Sequence, residues 1–389
     1  MVSLTLIAEG CRGRRRASSL PAESGNQRVA DPPGRGRSVQ EPVQCVLPFP
    51  VMNARGDKRG MERFARFAWL VLAYNLAVIL WGAIVRATGS GAGCGEHWPL
   101  CEGQVIPHAH AIATLIEFAH RASSGVDIVL VAVLVFMAFR RFGRGHAVRR
   151  YAVAVAFFTV TEGLVGAALV LTGDVGKNVS WGRVGILSVH LVNTFLLLAT
   201  LALTAWAATE QSPAQTAGQS AGVGAGKPST RSYILYGAGL AGMLAIAISG
   251  TIAALADTLF PAPSLVEGMR WDFASTTSPI VHLRIIHPII AVTLGGFLMG
   301  IAVYALSTPV SAAAKRWAGW LLGLVVLQFC FGVVNILLLS PLWMQVLHLL
   351  TADLIWITLV LLTAEAQGWR RAGLEAGGLP PRWETLKIV

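Results

Sequence analysis

Residues 117–121 read Glu117-Phe118-Ala119-His120-Arg121, and residues 284–288 read Arg284-Ile285-Ile286-His287-Pro288. Each stretch lies inside a long apolar run, and two apolar runs later each is followed by a second histidine, His190 or His348. Ligating side chains at bilayer depth are unfavourable to bury and mark function by default. The surroundings repeat as well. Trp81-Gly82-Ala83-Ile84 matches Ser249-Gly250-Thr251-Ile252, Glu162-Gly163-Leu164-Val165-Gly166 matches Gln328-Phe329-Cys330-Phe331-Gly332, and Ser188-Val189-His190-Leu191 matches Val346-Leu347-His348-Leu349.

Stretches long enough to cross about 30 Å of hydrocarbon at about 1.5 Å per residue occur at 67–87, 114–139, 151–172, 184–207, 232–256, 281–306, 317–339 and 345–364. The expected fold is an all-α integral membrane protein of eight transmembrane helices, arranged as two pseudo-two-fold related four-helix bundles. An even number of spans in each half makes the repeat parallel, with its axis along the membrane normal. The expected segments are a disordered tail over 1–66, a first bundle over 67–208, a linker over 209–231, a second bundle over 232–366 and a tail over 367–389. The first of these lacks periodicity and is basic, and Met52 or Met61 is an alternative start. The linker is rich in Ala, Gly, Ser and Gln.

Hydrophobic residues make up 54% of the chain and charged residues only 13%, more apolar surface than one soluble core could hide. The net charge of +11 is not a nucleic-acid footprint, because residues 1–66 alone hold twelve Lys/Arg against six Asp/Glu and the rest sits in short loops. The loops at 88–113 and 340–344 carry no Lys or Arg, whereas the alternate connections do. By the positive-inside rule both termini are cytoplasmic. A bacterial inner membrane fits better than a mitochondrial one, since Glu and Asp in the leading segment oppose a transit peptide.

One imidazole from each of two helices of a bundle can supply both axial ligands of a haem iron. His120 with His190 and His287 with His348 are therefore the candidate iron ligands. Zinc would require a third or fourth ligand, with Cys or carboxylate nearby. His282 lies on another face of its helix from His287. His97, His108, His110 and His146 fall in loops and read as surface residues. Glu117 stands one turn before His120 and can assist proton transfer there, or can simply pair with Arg121 along the helix. Cys94 and Cys101 lie in the loop after the first span and can close a small disulfide, either structural or redox-active. Cys11, Cys45 and Cys330 have no evident partners.

Gly82-Ala-Ile-Val-Arg86-Ala-Thr88-Gly, then Cys94-Gly-Glu-His-Trp98-Pro99-Leu-Cys101, then Glu117-Phe-Ala-His120-Arg121 strongly resemble the haem A synthase family over roughly 65–365. The resemblance implies an enzyme that oxidises the C8 methyl of haem O to a formyl group, giving haem A for terminal oxidases. It implies His120 and His190 as ligands of substrate haem O, Glu117 as catalytic, and His287 and His348 as ligands of a resident haem b. Arg86, Arg121 and Arg284 would support the sites or hold propionates. Implied partners are haem O synthase, an electron-transfer partner and membrane lipid. The departure is Pro288, where the family usually has Arg; Pro removes a backbone donor and bends the helix. The rival readings are a di-haem b-type cytochrome that only passes electrons, and a transporter. The latter needs corresponding Gly/Pro breaks, and Ala122 stands opposite Pro288.

Overall fold

A computed structural model describes residues 54–108, 111–209 and 229–369. Eight helices are long and apolar enough to cross a membrane: α1 (Ala54–Ala87), α2 (Ile112–Arg141), α3 (Ala147–Leu171), α4 (Trp181–Ala208), α5 (Thr230–Leu259), α7 (Pro279–Ser307), α8 (Ala312–Leu337) and α9 (Leu342–Ala366). A short α6 (Leu265–Phe273) joins α5 to α7, and no strand occurs among the described residues. The chain is a multi-pass membrane protein. In hydrocarbon every backbone polar group needs an internal partner, which a helix supplies within one segment. Val129, Val133 and Phe136 of α2 and Val153, Phe157 and Val160 of α3 are exposed apolar residues, as lipid-facing positions require.

Helix starts follow local chemistry. The hydroxyls of Ser180, Ser229, Ser264 and Ser311 accept from backbone N–H groups three residues on, at 3.0, 3.2, 3.2 and 3.0 Å, and so cap α4, α5, α6 and α8. The first helix departs from the sequence expectation, for it begins at Ala54 rather than 67. Phe64, Ala68, Val71 and Leu72 form a buried stripe at helical spacing, so the amphipathic pattern starts inside the charged segment. Residues 1–53 of the expected tail, most of the 209–231 linker and residues 370–389 lie outside the described residues. Pro288 has the expected local effect: a 3-10 turn, Leu283–Ile285, interrupts α7 directly before the stretch that carries His287.

α1 packs on α2 and α4, and α3 on α2 and α4; α5 packs on α7 and α9, and α8 on α7 and α9. Contacts of α4 and α1 with α9 and α5 join these neighbours. Trp356 of α9 stacks on Phe195 of α4 with ring centroids 5.1 Å apart, and its indole N–H donates to the Phe195 carbonyl at 2.6 Å. The continuous core fills one end of the helices, from Phe64 to Leu72, Val131 to Phe142, Phe195 to Ala208, Leu298 to Ala305 and Ile355 to Ala364. Each of the four candidate histidines lies just beyond that packed zone on its own helix. Trp356→Ala removes the stacked ring and a buried hydrogen bond, and should lower unfolding free energy by about 3 kcal/mol, measured by thermal denaturation in detergent.

Candidate functional site

Each candidate histidine faces a glycine on the preceding long helix. A Cβ added at Gly82 of α1 would stand 3.1 Å from His120 Cε1, and one at Gly250 of α5 would stand 3.0 Å from His287 Cε1. At Gly166 of α3 it would stand 3.9 Å from His190 Cε1, and at Gly332 of α8 3.5 Å from His348 Cε1. These glycines occupy matching places in the two halves. Without a Cβ, the facing helix can approach each ring edge closely.

His287 and His348 come together, with ring centroids 6.5 Å apart and planes at 89°. That separation accommodates an iron bonded to one nitrogen of each ring at about 2 Å. Ser249 Oγ lies 3.0 Å from His287 Nδ1 and donates its proton to the Ile246 carbonyl at 2.9 Å. A hydroxyl donates once, so it accepts from Nδ1–H and leaves His287 Nε2 with a free lone pair. The Gln328 amide nitrogen lies 3.1 Å from His348 Nε2, which places the accepting lone pair there too. His348 Nδ1 is buried without a partner. His287 keeps an accepting nitrogen, whereas that of His348 is met by the Gln328 amide and would have to exchange it for a metal. No third protein ligand stands by, and two imidazoles at this separation fit bis-histidine haem ligation. Among the described residues no group of three or more His, Cys, Asp or Glu could hold another metal ion.

In the first half, Nδ1 of His120 and of His190 are buried and without hydrogen-bond partners. Beside His190 stands Glu162 of α3, whose Oε1 is 3.6 Å from His190 Nδ1. The sequence reading set Glu162 against Gln328 in the repeat but gave it no role. The available signal was a carboxylate at bilayer depth, matched by an amide in the other half. The two donors that hold it, Asn193 and Thr194, have polar side chains ordinary in any helix and become meaningful only through packing.

The outer loop is clamped from α2. Glu117 is 3% exposed; its Oε2 accepts from the Cys94 backbone N–H at 2.8 Å and its Oε1 pairs with Arg121 at 2.5 Å. Arg121 in turn donates to the carbonyls of His97 and Leu100 at 2.6 and 2.7 Å. Cys94 and Cys101 form a disulfide inside this clamp, with Cα atoms 4.5 Å apart. The helical Glu117–Arg121 pair is thus present, and it extends into the loop. Arg86 leaves α1 one turn after Gly82 and donates to the Ala254 carbonyl and Thr258 hydroxyl of α5 at 2.7 and 2.9 Å, and to Gln345 of α9 at 3.1 Å. Arg284 is engaged by Asp272 and Asp257 at 2.6 and 3.1 Å, so two carboxylates already occupy its guanidinium.

The other histidines lie elsewhere. His282 Nδ1 is 2.7 Å from the Asp272 carbonyl, His97 and His108 are exposed, and His110 lies outside the described residues. His146 caps α3 through the Val148 N–H at 3.2 Å, and burial followed by the nearby Arg150 charge lowers its pKa. Cys330 is free and exposed, while Cys11 and Cys45 lie outside the described residues. Removing the clamp with Glu117→Ala discards a buried charged hydrogen bond worth about 2 kcal/mol. The Cys94–Cys101 bond should then be reduced by a water-soluble phosphine roughly tenfold faster, followed by thiol labelling.

The family model described as cytochrome oxidase assembly protein matches residues 65–360. A Thermus thermophilus protein named protoheme IX farnesyltransferase is 43% identical over 319 residues, covering 82% of this chain and 51% of that protein. A Bacillus mycoides protein named heme A synthase is 32% identical over 145 residues, covering 37% of this chain and 44% of that protein. Another so named, from Bacillus cereus, is 31% identical over 145 residues with the same coverage. The chain spans about half the length of the curated relatives it matches. Ordered motifs, eight spans and a family match over most of the length agree: the chain belongs to the cytochrome oxidase assembly protein family.

Proposed function

We propose that this chain is a haem A synthase, which oxidises the C8 methyl of haem O to a formyl group. The carrying observation is the set of four histidines at matching places, each against a glycine, with one pair 6.5 Å apart. Relatives named heme A synthase support the reaction class. The reading includes two four-helix bundles related by a pseudo-two-fold, both termini cytoplasmic in a bacterial inner membrane. The contacts of α1 to α4 among themselves and of α5 to α9 among themselves support it.

In this reading His287 and His348 hold haem b, and His120 and His190 take haem O. Bound haem b supplies one-electron transfer. With water as the source of the formyl oxygen, methyl-to-formyl conversion releases four protons and four electrons, and an electron-transfer partner accepts the electrons. Glu117 serves at the outer edge of the first site, where it also holds the Cys94–Cys101 loop over the helix ends. Arg121 fastens that loop, Arg86 ties α1 to α5 and α9 beside both sites, and Arg284 anchors the start of α7. Arg284 and Arg121 are already paired with carboxylates, whereas Arg86 is bonded to neutral acceptors and its charge favours the carboxylates of a haem edge. The relative named protoheme IX farnesyltransferase supports haem O synthase as the functional partner.

Membranes of a host supplied with haem O synthase should yield haem A on pigment extraction only when this chain is present. Unchanged haem O with a bound b-type spectrum would instead make the protein a di-haem cytochrome. His287→Ala and His348→Ala should each remove the second-half component of the b-type spectrum. Glu117→Ala should keep that spectrum and accumulate haem O or a hydroxylated intermediate, and normal haem A output from it would remove Glu117 from the chemistry.

A further inference from the structure

The halves share their histidines and glycines but differ in what stands beside the histidine of the fourth span. In the first half that neighbour is the carboxylate of Glu162, 3.6 Å from His190 Nδ1. In the second half the matching residue is the uncharged Gln328, whose amide nitrogen lies 3.1 Å from the other ring nitrogen, His348 Nε2. The carboxylate is also held in place. Asn193 Nδ2 donates to Glu162 Oε2 at 2.5 Å, and the Thr194 hydroxyl donates to Oε1. Asn193 is itself fixed by the Phe158 carbonyl at 2.9 Å and by the Thr161 hydroxyl at 2.6 Å. At the matching places of the second half stand Thr351, which bonds back to its own helix at Leu347, and Ala352, which offers no donor. A cradle of two donors surrounds Glu162, and the matching residues offer none to Gln328.

Glu162 stands just beyond hydrogen-bond reach of His190 Nδ1, so it acts through its charge. It places negative charge near an iron held by His190, where partial burial weakens screening. That charge favours the oxidised metal over the reduced one. A neutral amide does neither.

We infer that Glu162 is a positioning residue that holds the iron ligated by His190 at a lower reduction potential than the iron between His287 and His348. The inference rests on the haem reading of the two histidine pairs. Electrons then run downhill from the first site to the second, the direction needed if the first half oxidises its haem and the second passes the electrons on. The polarity of the two sites is thus written into one position of the repeat.

The test uses the full chain in detergent, reconstituted with protohaem IX, and spectroelectrochemical titration of both haems. His120→Ala and His287→Ala identify which spectral component belongs to which half. Glu162→Gln should raise the midpoint potential of the first-half haem and leave the second unmoved. Gln328→Glu should lower that of the second-half haem, an independent arm that does not depend on Glu162→Gln folding. Haem bound in both halves with unshifted potentials, or shifts of equal size in both, overturns the inference while leaving the haem reading intact. Failure of the first pair to bind haem, seen as an unchanged spectrum in His120→Ala, overturns the haem reading itself and this inference with it.

Discussion

An imidazole can lie edge-on against a neighbouring helix only where that helix presents no side chain. This steric condition binds at Gly82 and Gly250, where an added Cβ would stand 3.1 and 3.0 Å from the ring; at Gly166 and Gly332 it would stand in ordinary contact at 3.9 and 3.5 Å, and the candidate site depends on these four approaches. Each contact fixes a ring by the position of its partner helix, so that helix spacing, which is set at the far end by the packed core, becomes ligand spacing. The core and the histidines occupy successive levels of the same helices. Apolar packing is concentrated at one level and the candidate ligands at the other.

The outer edge is held differently. There the helices give way to loops, and buried charge replaces apolar packing. Glu117, Arg121 and the Cys94–Cys101 loop form one connected unit, Arg86 spans from α1 to α5 and α9, and Arg284 gathers Asp257 and Asp272. Charged hydrogen bonds of this kind are directional and strongly disfavour loss of one partner. The same groups that close the outer loops are therefore those nearest the histidine level, and structure and chemistry share residues there.

The two halves repeat their histidines and glycines, and a few side chains make them unlike. Glu117 stands opposite Arg284 and Glu162 opposite Gln328, so these two carboxylates have no carboxylate at the matching places of the second half.

Much of this was legible in the chain itself. Eight apolar runs, the repeat and the four histidines follow from hydropathy and spacing, because in a bilayer the backbone leaves few options and a buried ligating group stands out. Helix ends were less legible. The start of α1 at Ala54 was masked by charged residues whose buried stripe, beginning at Phe64, appears only once partner helices cover it. The role of Glu162 and the dual engagement of Glu117 were out of reach for the same reason. Sequence spacing states which residues share a face of one helix, whereas the cradle of Asn193 and Thr194 around Glu162 and the reach of Arg86 across to α5 are contacts between helices. Hydropathy alone settles the membrane fold, and residue type singles out the candidate ligands, through burial energetics that act on each segment separately. Which histidines meet, which carboxylates are spoken for and how the two sites differ emerge only from packing, since those depend on distances between segments far apart in the chain.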